Sequence, residues 1–168
     1  MSFVRRLLSY LSPGRSVNKE FKVAELASQS LLQLLEAPVK FYSFDFKAIP
    51  LRSEVHAMLG FLAAASDVFA QSFGGSPAGL GSINATLRVY QALFDEQHTE
   101  ALMESTFELS RSPTKGFEDG HTMGQALVNG FLRQDTDIPA RIFVHLFSER
   151  YQQYCGTPDG LDLSMHSA

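Results

Sequence analysis

One cysteine and no tryptophan occur in 168 residues. A lone thiol, Cys155, cannot close an internal disulfide, which excludes a cross-linked small secreted scaffold and suits a reducing compartment. Charge is scarce over a long stretch. From His56 to Leu87 the one charged side chain is Asp67, although 19% of the whole chain is charged. Unbroken hydrophobic runs are missing as well. The most apolar segment, residues 55–73, is interrupted by His56, Ser66, Asp67 and Gln71, whereas a membrane span needs about 20 predominantly apolar residues. It reads as a helix for a soluble core. No secretory signal is expected, because the apolar run after Arg5-Arg6 is short and no small-residue cleavage site follows it.

What is present suits one globular domain: 45% hydrophobic residues, fourteen of them phenylalanine, and a net charge of −4. The charge is uneven. Residues 1–22 carry Arg5, Arg6, Arg15, Lys19 and Lys22 against Glu20, a balance of +4, and the remainder carries 9 basic and 17 acidic residues, or −8. An acidic body lacks the clustered cations that phosphate neutralisation requires, so no nucleic-acid partner is expected.

Hydrophobic periodicity predicts an all-α bundle of six to seven helices. Residues 2–12 place Phe3, Val4, Leu7, Leu8, Tyr10 and Leu11 on one arc with Arg5 and Arg6 opposite, and Ser12-Pro13-Gly14 ends this arm with a turn. A second helix spans residues 18–36, with Ser16 or Asn18 as N-cap and Pro38 as its stop. The aromatic stretch 39–47 has strand-like composition without clean alternation, and is expected to be extended, as a linker or short edge strand. A central helix over residues 52–73 is apolar nearly all round and belongs in the middle of the core. Its exception is a strip of small or polar residues (His56, Gly60, Ala63, Ala64, Asp67, Gln71), where a neighbouring helix packs or water enters. After the glycine-rich loop 74–82, Ser82 caps a helix to Phe94. Further helices are predicted over 98–109, 121–133 and 137–154, the last with Asp137 as N-cap and Pro139 in its first turn, with a loop over 110–116. Residues 15–156 form the domain, 1–14 a detachable arm and 157–168 a flexible tail.

No constellation with catalytic spacing emerges. Glu118 and His121 have the Glu-x-x-His spacing of di-iron bundles, but no second such pair exists, so a metal site of Glu118, His121 and His98 would have to be assembled by tertiary folding. Cys155 follows a helix C-terminus, whose exposed carbonyls disfavour a thiolate. The glycine-rich loop lacks the lysine of a P-loop and any Gly-x-Gly-x-x-Gly. His56 and Asp67, eleven residues apart, would be separated by about 16 Å along a helix and cannot pair. Arg150 projects into the apolar arc of the last helix, where snorkelling or an internal carboxylate is favoured over a surface that meets a partner.

Two surface features remain. Glu96, Glu100, Glu104 and Glu108 recur every four residues, a solvated acidic face able to meet a basic partner. The N-terminal arm, through Phe3, Arg5, Arg6, Leu7, Leu8, Tyr10 and Leu11, suits core packing, a partner's groove or an anionic membrane, and has the composition of a mitochondrial presequence. The sequence therefore favours a non-enzymatic interaction protein (adaptor, regulator or inhibitor) that binds another protein, without a cofactor, in the cytoplasm or, in a eukaryote, mitochondria. Peripheral membrane contact through residues 2–12 or an apolar ligand beside the central helix is the first alternative. A small metal-dependent enzyme is the second.

Overall fold

The computed structural model describes residues 15–48, 55–94 and 96–147. The expected arm helix 2–12, Arg150, Cys155 and the tail 157–168 lie outside them. Six α-helices are seen: α1 (Arg15–Phe41), α2 (Val55–Ser72), α3 (Leu80–Leu93), α4 (Glu96–Arg111), α5 (Lys115–Leu132) and α6 (Asp137–Phe147), with a 3-10 turn at Phe46–Ala48. Among the described residues there is no strand.

α2 is the hub. It packs against α1, α3, α4 and α5, and Met58, Leu59, Phe61, Leu62, Ala65 and Phe69 are buried on it. Its low charge is thus a consequence of contact on almost every side. α1 supplies Val23, Ala24, Ala27, Leu31 and Leu35 to the core at helical spacing, while Lys22, Glu25, Gln29, Gln33 and Glu36 stay exposed.

The closest packing joins α2 to α5. A Cβ on Gly120 would collide with the carbonyl of Ala57, one on Gly124 with the carbonyl of Phe61, and one on Gly60 with the carbonyl of Phe117. Only a missing side chain lets two helix backbones come this near. Because Ala57 faces Gly120, Phe61 faces Gly124 and the Phe69 ring meets Phe131 at 6.1 Å, the two helices run in the same direction. The small-residue strip of the central helix therefore does two things: Gly60 and Ala64 receive α5, and Ala63 and Asp67 face a cleft.

Several expectations are corrected. Residues 39–47 are not extended. α1 runs through Pro38 to Phe41, since the ring forfeits one N–H while its carbonyl still accepts Tyr42 N at 2.9 Å. The helix ends in a Schellman turn, with Phe44 N bonded to Val39 O and Ser43 N to Lys40 O around a left-handed Ser43 (φ 51°),. The aromatics that resembled a strand plug one end of the bundle. Phe44 and Phe46 are buried, Phe44 packs edge-on to Phe147 at 4.8 Å, and Phe46 meets Phe94 at 5.6 Å.

Helix starts differ too. Ser16 and Asn18 lie inside α1, and Ser82 lies inside α3, whose N-cap is Gly79. Gly79 offers no side chain, and Glu20 of α1 supplies the missing acceptor, taking Gly81 N–H at 2.8 Å. α5 begins at Lys115, with Thr114 as its cap, so residues 115–116 of the expected loop are helical. Asp137 is the first residue of α6, and the carboxylate that accepts its N–H, at 2.9 Å, is Asp135.

Candidate functional site

A half-open cleft of about 230 Å³ is lined by residues of α2, α3, α4 and α5. α2 contributes Ala63 and Asp67, and the start of α3 contributes Ser82, Ile83 and Thr86, with Ala78 of the preceding loop beside them. α4 contributes Met103, Thr106, Phe107 and Ser110, and α5 contributes Phe117 and His121. The walls are mostly apolar because the hydroxyls are turned into their own helices. Thr86 donates to Ser82 O at 3.0 Å, Thr106 to Leu102 O at 2.8 Å and Ser110 to Thr106 O at 2.7 Å.

Asp67 organises one rim. Its Oδ1 accepts the N–H of Ala78 at 2.7 Å and its Oδ2 accepts the amide of Gln71 at 2.8 Å. Ala78 has a left-handed backbone, φ 48°, held by this contact. His121 shares the cleft. Burial pulls its pKa below the usual histidine value, and attraction to the Asp67 carboxylate works against that pull. Sequence spacing could not have found this pair, because the α2–α5 seam alone brings residues so distant in the chain to one cavity. His56, by contrast, places Nδ1 3.2 Å from the hydroxyl of Thr114 and does not line the cleft.

Behind the α4 wall is a buried polar relay. Tyr90 OH lies 2.8 Å from Thr106 Oγ1 and 3.4 Å from Leu59 O. Since Thr106 donates to Leu102 O, its oxygen accepts from Tyr90,. Burial raises the Tyr90 pKa far above the ordinary phenol value, so the relay stays neutral,.

The acidic face lies on the same helix as one wall of this cleft. Glu100, Glu104 and Glu108 are all exposed on α4. Residues three apart on a helix are neighbours, which places Glu100 beside Met103 and Glu104 beside Phe107, whereas Glu108, a further turn on, faces away from the cleft-lining side of α4,. The expected metal ligands do not converge. His98 and Glu118 are exposed, His121 is half-buried, and among the described residues no group of three or more His, Cys, Asp or Glu is arranged to hold a metal ion. The arm residues Phe3, Arg5, Arg6, Leu7, Leu8, Tyr10 and Leu11 lie outside the described residues. After the glycine-rich loop, the Gly81 N–H at the start of α3 is taken by the carboxylate of Glu20. No helix among the described residues is long and apolar enough to cross a membrane.

Comparison with models of known protein families, with curated proteins and with solved structures gives no match.

Proposed function

We propose that this protein is an interaction module that takes a basic amphipathic segment into the cleft between α4 and the α2–α5 pair. One observation supports the reading: a largely apolar groove lined by Met103 and Phe107, whose helix neighbours Glu100 and Glu104 are exposed carboxylates, with Asp67 also among the lining residues. Apolar side chains of such a segment fill the groove, and its lysines or arginines meet the carboxylates, the arrangement by which grooves recognise amphipathic helices. The volume favours this occupant. At about 230 Å³ the cleft is smaller than the roughly 300–1,000 Å³ of ordinary small-molecule sites, and suits one or two apolar side chains of a docked segment. The acidic row would speed encounter and confer selectivity more than affinity, and would make binding salt-dependent.

The test is fluorescence anisotropy with labelled synthetic helices. A lysine- and leucine-bearing amphipathic peptide should bind the full chain at low salt. The same peptide with glutamate for lysine should not. Reversal of the two nearest carboxylates (Glu100→Lys, Glu104→Lys) should weaken binding by about tenfold or more without altering the circular dichroism spectrum. Equal binding of both peptides, or indifference to the reversal, would refute the reading.

A further inference from the structure

Six polar side chains line the cleft: Asp67, Ser82, Thr86, Thr106, Ser110 and His121. Most of them are already engaged. Both oxygens of Asp67 accept N–H donors, and the hydroxyls of Thr86, Thr106 and Ser110 donate to carbonyls of their own helices. Ser82 and His121 differ. Among the described residues neither the Ser82 hydroxyl nor the His121 ring makes a hydrogen bond, although Ser82 is only 5% exposed and His121 is half-buried. Polar groups so far withdrawn from water are costly unless a guest pairs with them. The surface around them is aromatic and polarisable. Met103, Phe107 and Phe117 line the same cleft, and the Phe117 and His121 rings lie 6.4 Å apart. Such walls favour a flat aromatic guest.

The polar tip of that guest follows by elimination. A carboxylate would meet Asp67 as a like charge. A lysine ammonium would shed water against these walls for a carboxylate whose two oxygens are occupied,. Burial keeps His121 neutral at physiological pH, so its ring holds one donor and one acceptor nitrogen,. A phenol hydroxyl donates and accepts through one atom. We infer that the docked segment is anchored by a tyrosine, its ring among Met103, Phe107 and Phe117 and its hydroxyl against Ser82 and His121, which are the residues that select it. This rests on the cleft as a docking groove and names the side chain that the groove reads. Charge on the segment governs encounter, and the phenol governs selectivity, because a guest without it leaves buried polar groups unpaired.

The experiment is a cycle of anisotropy titrations on the full chain. Its labelled peptides are lysine- and leucine-bearing amphipathic helices that differ only at the central apolar position, which holds tyrosine, phenylalanine, leucine or lysine. The tyrosine peptide should bind about tenfold more tightly than the phenylalanine peptide, the size of effect that one buried hydrogen bond gives. In the Ser82→Ala, His121→Leu chain that preference should vanish, while the phenylalanine peptide binds as tightly as before. Its undiminished affinity is the control for folding. Ser82→Ala and His121→Leu made singly should each narrow the preference, so the result does not depend on the double variant. Three results would overturn the tyrosine anchor and leave the groove standing. These are equal affinity for the tyrosine and phenylalanine peptides, a tyrosine preference that persists in the double variant, and tightest binding of the peptide with lysine at that position. If no peptide of the series binds, the groove falls and the anchor with it.

Discussion

The Asp67 carboxylate on the central helix accepts the backbone N–H of Ala78 at 2.7 Å, pinning the far side of a glycine-rich loop eleven residues on. The bond holds a non-glycine residue in the left-handed region, a conformation that costs roughly 1–2 kcal/mol when unsupported. Asp67→Ala should lower stability by about 1 kcal/mol in urea unfolding and accelerate hydrogen exchange at the Ala78 amide. Adding Ala78→Gly should recover part of the loss, because glycine adopts this conformation freely. Unchanged exchange at Ala78 would show that the loop holds its shape without the carboxylate.

The seam glycines allow a sharper test, since helix propensity and packing pull in opposite directions. Gly→Ala in an exposed helix interior gains up to about 1 kcal/mol. At Gly116, where the nearest neighbours of an added Cβ are 3.9 Å away, the substitution should stabilise by roughly 0.5 kcal/mol. At Gly120, where the Cβ collides with the Ala57 carbonyl, the same change should cost about 3 kcal/mol. Thermal or chemical denaturation of the two variants must give opposite signs.

His121 sets a pH dependence. Its pKa in the folded chain is depressed, by burial first, with Asp67 opposing, so the unfolded chain takes up a proton more readily than the native one. Its contribution to stability is complete above the unfolded value near 6.5 and is lost as pH falls through the lower folded value. Urea midpoints measured across that window should fall less steeply for His121→Gln than for the unaltered chain. Asp67→Asn should push the His121 titration, followed by NMR, further down.

The Tyr90–Thr106 relay should respond asymmetrically. Tyr90→Phe removes a donor and leaves Thr106 still bonded to Leu102 O, costing about 1 kcal/mol. Thr106→Val leaves a fully buried phenol with only the long 3.4 Å contact to Leu59 O and should cost more, up to about 3 kcal/mol. Equal losses in denaturant titrations would mean that Tyr90 donates to Leu59 instead.

Periodicity made the helices legible because each buries one stripe, and the scarcity of charge around Asp67 located the hub for the same reason. Three failures share another cause. Pro38 reads as a stop, Ser82 as a cap and residues 115–116 as loop only while each residue is judged by its local preference. Tertiary contacts reverse these readings. The seam needs glycine inside α5, Glu20 caps α3 from another helix, and the buried aromatics Phe44 and Phe46 draw the chain after Pro38 into turns. The cleft was half legible. Asp67 and the glutamate row stand out in the sequence, but the approach of His121 and Phe117 depends on a parallel helix pair that no local pattern encodes.

That parallel pair also dictates an order of assembly. Ala57 and Phe61 find their partners only at Gly120 and Gly124, so the seam closes a long loop and cannot form while the chain is half made. During synthesis α1, α2 and α3 can associate as soon as they emerge, leaving one side of the hub bare until α5 has been delivered. The interval before the fifth helix arrives is when the nascent protein is most exposed to aggregation, and a stop or pause ahead of residue 124 would leave it there.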